Sequence, residues 1–172
     1  MDERLILVHM GQLAISMKPE DVLASLGLGS CVAVCAYDPA KKLAGMIHVV
    51  LPSKNNDKPA APAKFADVGV PVLVEEMLQQ GVLRARLKIA ILGGANVLTS
   101  LAGNTSLDIG TRNVAAVRAA LQKLGLPIIA HDVGGTYSRT VRLKVASGEV
   151  TLKTLRDGEV IAAKLGDHHG HG

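Results

Sequence analysis

Two apolar runs constrain this chain more than anything else in it. Cys31 to Tyr37 reads Cys-Val-Ala-Val-Cys-Ala-Tyr, Leu43 to Leu51 reads Leu-Ala-Gly-Met-Ile-His-Val-Val-Leu, and Asp38-Pro39-Ala40-Lys41 separates them. A short apolar run rich in β-branched residues is a strand signal, and Asp-Pro in a polar cluster is a turn signal. Together they predict a hairpin. A two-residue loop at Pro39-Ala40 pairs Asp38 with Lys41, Tyr37 with Lys42 and Cys31 with His48.

That register has chemical consequences. Directly opposed residues share a face, with Cβ atoms about 4.5–5.5 Å apart, within reach of a thiol–imidazole hydrogen bond. Imidazole can take the thiol proton and later return it to a leaving amine. The pair would hold Cys31 below the free-thiol value of about 8.5. A third polar group usually orients the imidazole. Gly27 and Gly29 allow the backbone before Cys31 to curl and present N–H groups to an oxyanion. From these residues alone Cys31 reads equally as a nucleophile or a small buried hydrophobe, and His48 as a base or a core histidine. Cys35, between Val34 and Ala36, reads as core.

Around the hairpin the pattern is mixed. Arg4 to Val8, Leu13 to Met17, Leu87 to Leu92, Ile128 to His131, Ser138 to Val145 and Val150 to Leu155 read as strands. Lys18 to Asp21 reads as a turn, and Ser25 to Ser30 as a glycine-rich approach to the cysteine. Helical spacing joins Val68, Val72, Leu73, Met77 and Leu78 up to Gly81, and again Val114, Val117, Leu121 and Leu124 up to Gly125. Pro52 to Ala63 is a polar loop. The expected architecture is α+β, a single-domain α/β sandwich with mostly antiparallel strands and two main helices. Residues 1–165 are expected to form the domain and 166–172 a flexible His/Gly-rich tail.

Several function classes drop out. Only 2% of the chain is aromatic, too little for base-stacking platforms. The formal charge of +4 is spread without a basic stripe, so nucleic acid is not an expected partner. No apolar run has membrane-spanning length, and Met1-Asp2-Glu3-Arg4 leads into no signal-peptide core. The expectation is a cytoplasmic protein without membrane insertion. Cys31, Cys35 and His48 match three positions of a zinc-finger spacing, but Pro52, Ser53 and Lys54 offer no fourth ligand. No dinucleotide or phosphate-loop fingerprint completes itself, so no metal and no cofactor are expected.

Five segments, in order, resemble one known family. Leu26-Gly27-Leu28-Gly29-Ser30-Cys31-Val32 and Gly45-Met46-Ile47-His48-Val49-Val50-Leu51-Pro52 are similar to the signature of CheD, the chemoreceptor glutamine deamidase. Leu92 to Asn96, Ile109 to Asn113, and Asp132 to Gly135 through Arg139 resemble its later motifs. The resemblance implies a fold like that of bacterial toxins that deamidate host glutamines, and a Cys–His–Thr triad. Cys31 matches its nucleophile and His48 its base. Ser25, six residues before the cysteine, stands where the family usually has threonine. The family implies deamidation of glutamines on the receptor's cytoplasmic helical hairpin through a thioester, with methyl-ester hydrolysis chemically close. It also implies docking with the phosphatase CheC where that partner exists. The rival is a non-catalytic regulator that binds CheC or the receptor array.

Overall fold

The computed structural model describes residues 2–54, 61–97 and 108–167. In chain order the strands are β1 (Arg4–Leu7), β2 (Leu13–Ser16), β3 (Asp21–Leu28), β4 (Val32–Asp38) and β5 (Leu43–Val49). Helix α1 (Ala66–Gln79) then leads to β6 (Lys88–Gly93), and α2 (Ile109–Lys123) to β7 (Ile128–Val133). The chain closes with β8 (Arg139–Lys144), β9 (Glu149–Thr154) and β10 (Gly158–Lys164). The helices end near the glycines the sequence marked: Gly81 and Gly125 take φ of 88° and 71°.

The strands make two five-stranded sheets, ordered β1-β3-β8-β9-β10 and β2-β5-β4-β6-β7. Each is mixed but mostly antiparallel; β1 with β3 and β6 with β7 are the parallel pairs. Every residue of β4 and β5 is buried, because both faces of their sheet are covered. On one face Val34, Ile47, Ile89 and Ile91 meet Leu73 and Met77 of α1 and Val117 and Leu121 of α2. On the other, Ala33, Cys35, Tyr37, Met46 and Leu92 meet Leu23, Val141, Leu143 and Leu152 of the second sheet. The order of layers is therefore helices, sheet, sheet. Each fully buried aliphatic side chain stabilises it by about 1.5–3 kcal/mol, so a core nearly free of aromatics suffices. No helix among the described residues is long and apolar enough to cross a membrane.

Two expectations need correction. Asp21 to Leu28 is a strand rather than a turn and a loose approach. Its residues 21–25 are buried, and it pairs with both β1 and β8. The glycine belongs to a bulge: the register with β8 shifts between Ser25 and Leu28, and Gly27 has φ of 61°. Strand β10 gave no sequence signal because it is an edge strand with exposed residues from Gly158 to Ile161, lacking a core periodicity. The centre of the Pro52–Ala63 loop, most of the segment after Asn96, and tail residues 168–172 lie outside the described residues.

The hairpin exists with a different register. Asp38 pairs with Leu43, Ala33 with His48 and Val32 with Val49. The loop has four residues because the Asp38 carboxylate Oδ1 accepts from Ala40 N–H at 2.8 Å, and Lys42 takes a left-handed φ of 52°. Cys31 therefore does not face His48. A displacement of two residues preserves the face, since side chains alternate with period two. Both still point between the sheets, as diagonal neighbours.

Candidate active site

The site lies where β4 and β5 part. A cleft of about 560 Å³ opens there, lined by Leu7, Val8, Ala24, Leu26, Cys31 and His48 among others. Among the described residues no Lys, Arg, Asp or Glu lines it.

His48 is 4% exposed and held by the crossover from β1 to β2. Its backbone N–H donates to Gln12 O at 3.0 Å, and Gly11 N–H donates to His48 O at 3.0 Å. Ring Nδ1 lies 3.0 Å from Val8 O. A carbonyl only accepts, so Nδ1 carries the hydrogen and Nε2 keeps its lone pair. That Nε2 is buried and has no partner among the described residues. Burial pushes the imidazole pKa down, opposed by the Val8 hydrogen bond and assisted by nearby His9.

Cys31 sits at the last bend before β4 and is 8% exposed. The backbone around it is fastened from behind. Ala95 N–H donates to Gly29 O at 2.9 Å and Gly94 N–H to Cys31 O at 2.8 Å. Asn113 Nδ2 donates to Ser30 O at 2.9 Å. With the carbonyls so held, the N–H groups of Ser30 and Cys31 make no hydrogen bond among the described residues, and both residues border the cleft. Burial pushes the Cys31 thiol up. This runs against the ion pair expected from the sequence: in the resting protein both directions favour neutral thiol beside neutral imidazole. Cys35, deeper on the same face, is pushed up to about 12 by burial.

Ser25 is fully buried on β3. Its hydroxyl donates to Val8 O at 2.9 Å and lies 3.3 Å from Met46 Sδ. Serine and imidazole thus share one carbonyl acceptor, and the hydroxyl reaches the ring through Val8. Sequence reading could not find Val8, because a backbone carbonyl leaves no side-chain signature. Asn113 stood in a quoted motif, but nothing in the motif revealed its bonds. Among the described residues no group of three His, Cys, Asp or Glu is gathered where it could hold a metal ion.

Comparison with known proteins shows the family of the chain. The family model for CheD chemotactic sensory transduction matches residues 50–154. A probable chemoreceptor glutamine deamidase CheD of Symbiobacterium thermophilum is 42% identical over 92% of this chain and 97% of its own. One from Syntrophotalea carbinolica is 45% identical over 86% of this chain and 92% of its own. The chemoreceptor glutamine deamidase CheD of Thermotoga maritima is 38% identical over 92% of this chain and 97% of its own. Among solved structures, the Bacillus licheniformis hypothetical protein YfiH overlays with a TM-score of 0.44 at 16% identity, over 78% of this chain and 59% of that one. That fit is too loose to speak for function. A family match over more than half the chain, and relatives spanning nearly all of it, place the chain in the CheD family.

Proposed function

We propose that this protein is a cysteine-dependent amidohydrolase that converts chemoreceptor glutamine side chains to glutamate. The observation that carries the reading is the His48 Nε2 lone pair, buried and without a partner among the described residues, in a cleft that Cys31 also lines. A buried polar atom without a partner costs stability and is expected where function needs it.

The steps follow from the atoms. A neutral carboxamide enters a cleft lined by no Lys, Arg, Asp or Glu among the described residues. His48 Nε2 takes the Cys31 proton as sulfur attacks the amide carbon, so the thiolate need not exist beforehand. The N–H groups of Ser30 and Cys31 receive the oxyanion. Imidazolium returns the proton to nitrogen, ammonia leaves, and a thioester remains. Water, deprotonated by His48, hydrolyses it to glutamate and free thiol. The new carboxylate meets no Lys or Arg among the described lining residues and departs. Ser25 and Val8 O hold the ring for both halves.

The protein would act in the cytoplasm, on the receptor's cytoplasmic helical hairpin, with CheC as a regulatory partner where present. Mass spectrometry of a receptor fragment incubated with wild-type and Cys31→Ala protein tests this. Conversion of glutamine to glutamate by wild type alone is expected. Equal conversion by both would remove Cys31 as the nucleophile, and conversion by neither would favour the adaptor reading.

A further inference from the structure

We propose that Asn113 is a positioning residue that sets the separation of Cys31 and His48, a role that rests on the deamidase reading of that pair. Asn113 lies near the start of α2 and is fully buried. Its one amide nitrogen donates to two carbonyls, Ser30 O and Val50 O, each at 2.9 Å. Ser30 immediately precedes Cys31, and Val50 follows His48 by two residues. The β4–β5 ladder ends at Val32 and Val49. Beyond that rung no backbone pairing joins the two segments directly, and Asn113 supplies a side-chain rung between them.

The chemistry of the position is narrow. A planar amide nitrogen offers two uncharged donors from one atom. Aspartate offers none, and lysine or arginine would bury a charge. The helix is seated to deliver this group: a Cβ on Gly110 would collide with the Gly94 and Ala95 carbonyls. Those two residues also donate to Cys31 O and Gly29 O. Asn113 Oδ1, meanwhile, is buried with no partner among the described residues. Both amide hydrogens of Asn113 thus go to the two segments that carry Cys31 and His48.

The test compares Asn113→Ala with Val117→Ala, a buried apolar position one turn along the same helix. Folding is checked by thermal unfolding. Deamidation of a receptor fragment by Asn113→Ala should lose roughly 100-fold in kcat with little change in KM, the scale expected for a misplaced reacting group. Val117→Ala should lose stability but keep its kcat. Iodoacetamide alkylation at Cys31 supplies a readout independent of any substrate. Removing His48 should slow it in the wild-type background and change it little in the Asn113→Ala background. A folded Asn113→Ala protein with wild-type kcat, or with undiminished dependence on His48, would overturn the proposal. If Asn113→Ala does not fold, Asn113→Ser retains one donor and should show an intermediate loss, and wild-type kcat there would overturn it equally. Wild-type protein inactive on every receptor fragment would sink the deamidase reading, while the alkylation comparison would still decide the role of Asn113.

Discussion

The two ends of the β4–β5 hairpin are made of the same strands and carry one cysteine each, yet they are finished differently. At the turn end Asp38 Oδ1 caps the loop, Tyr37 donates to Val145 O at 2.7 Å, and Cys35 is wholly enclosed. At the other end the ladder stops, a cleft opens, and the backbone carbonyls of residues 29–31 and the backbone groups of His48 find partners elsewhere. Buried backbone groups must be paired. At the turn end local bonds help to meet that demand. At the open end it is met by three distant segments: the 8–12 crossover, the Gly94–Ala95 corner and Asn113. On the proposed function, reactivity is therefore a property of where the strand ends rather than of the residue type.

The largest effect should come from exchanging the roles of the two cysteines. Cys31→Ala should lower deamidation roughly a thousandfold or more. Cys35→Ala should keep near-normal activity and cost about 1 kcal/mol in denaturant unfolding, as for a small core deletion. Equal activity losses in two folded variants would erase the difference between the ends.

Ser25 sharpens the comparison, since its hydroxyl meets His48 through a shared acceptor, Val8 O. Ser25→Ala should reduce kcat about tenfold through a less well-held ring. Ser25→Thr supplies the same oxygen on a stiffer side chain and should retain most activity. Steady-state rates on one receptor fragment measure both. Wild-type activity in Ser25→Ala would leave Val8 O as sufficient orientation.

Acidity separates the ends by direction. Burial raises the Cys31 thiol, so its alkylation should titrate with a midpoint above about 8.5, the free-thiol value. A midpoint below that would restore the resting ion pair. The folded His48 pKa is depressed, so its neutral burial favours folding above the unfolded value of about 6.5. That contribution should erode as pH falls below 6.5 toward the folded pKa. Urea unfolding of wild type and His48→Ala across that window would show it.

The smallest effect belongs to the turn end. Tyr37→Phe removes the hydroxyl bond to Val145 O and should cost about 1 kcal/mol of stability. Activity should be untouched. A loss of kcat would mean that the two ends are coupled along the strands.

By itself the sequence determined the elements whose signals are local. Apolar runs and Asp-Pro marked the hairpin, three-to-four spacing and terminal glycines marked both helices, and ordered motifs marked the family. Cys31 and His48 were legible as a pair because any even displacement of a hairpin keeps them on one face. Tertiary structure alone decided the rest. The register depended on a cap at Asp38 and a left-handed Lys42. Strand β3 depended on neighbours at positions 4–7 and 139–144, since its glycine and polar residues weaken a local strand signal. The imidazole is oriented by the carbonyl of Val8, and the cysteine loop is tied down by an amide 83 residues away along the chain. Backbone carbonyls are the same in every residue, so which one becomes a hydrogen-bond acceptor is written in the packing of the layers rather than in the letters.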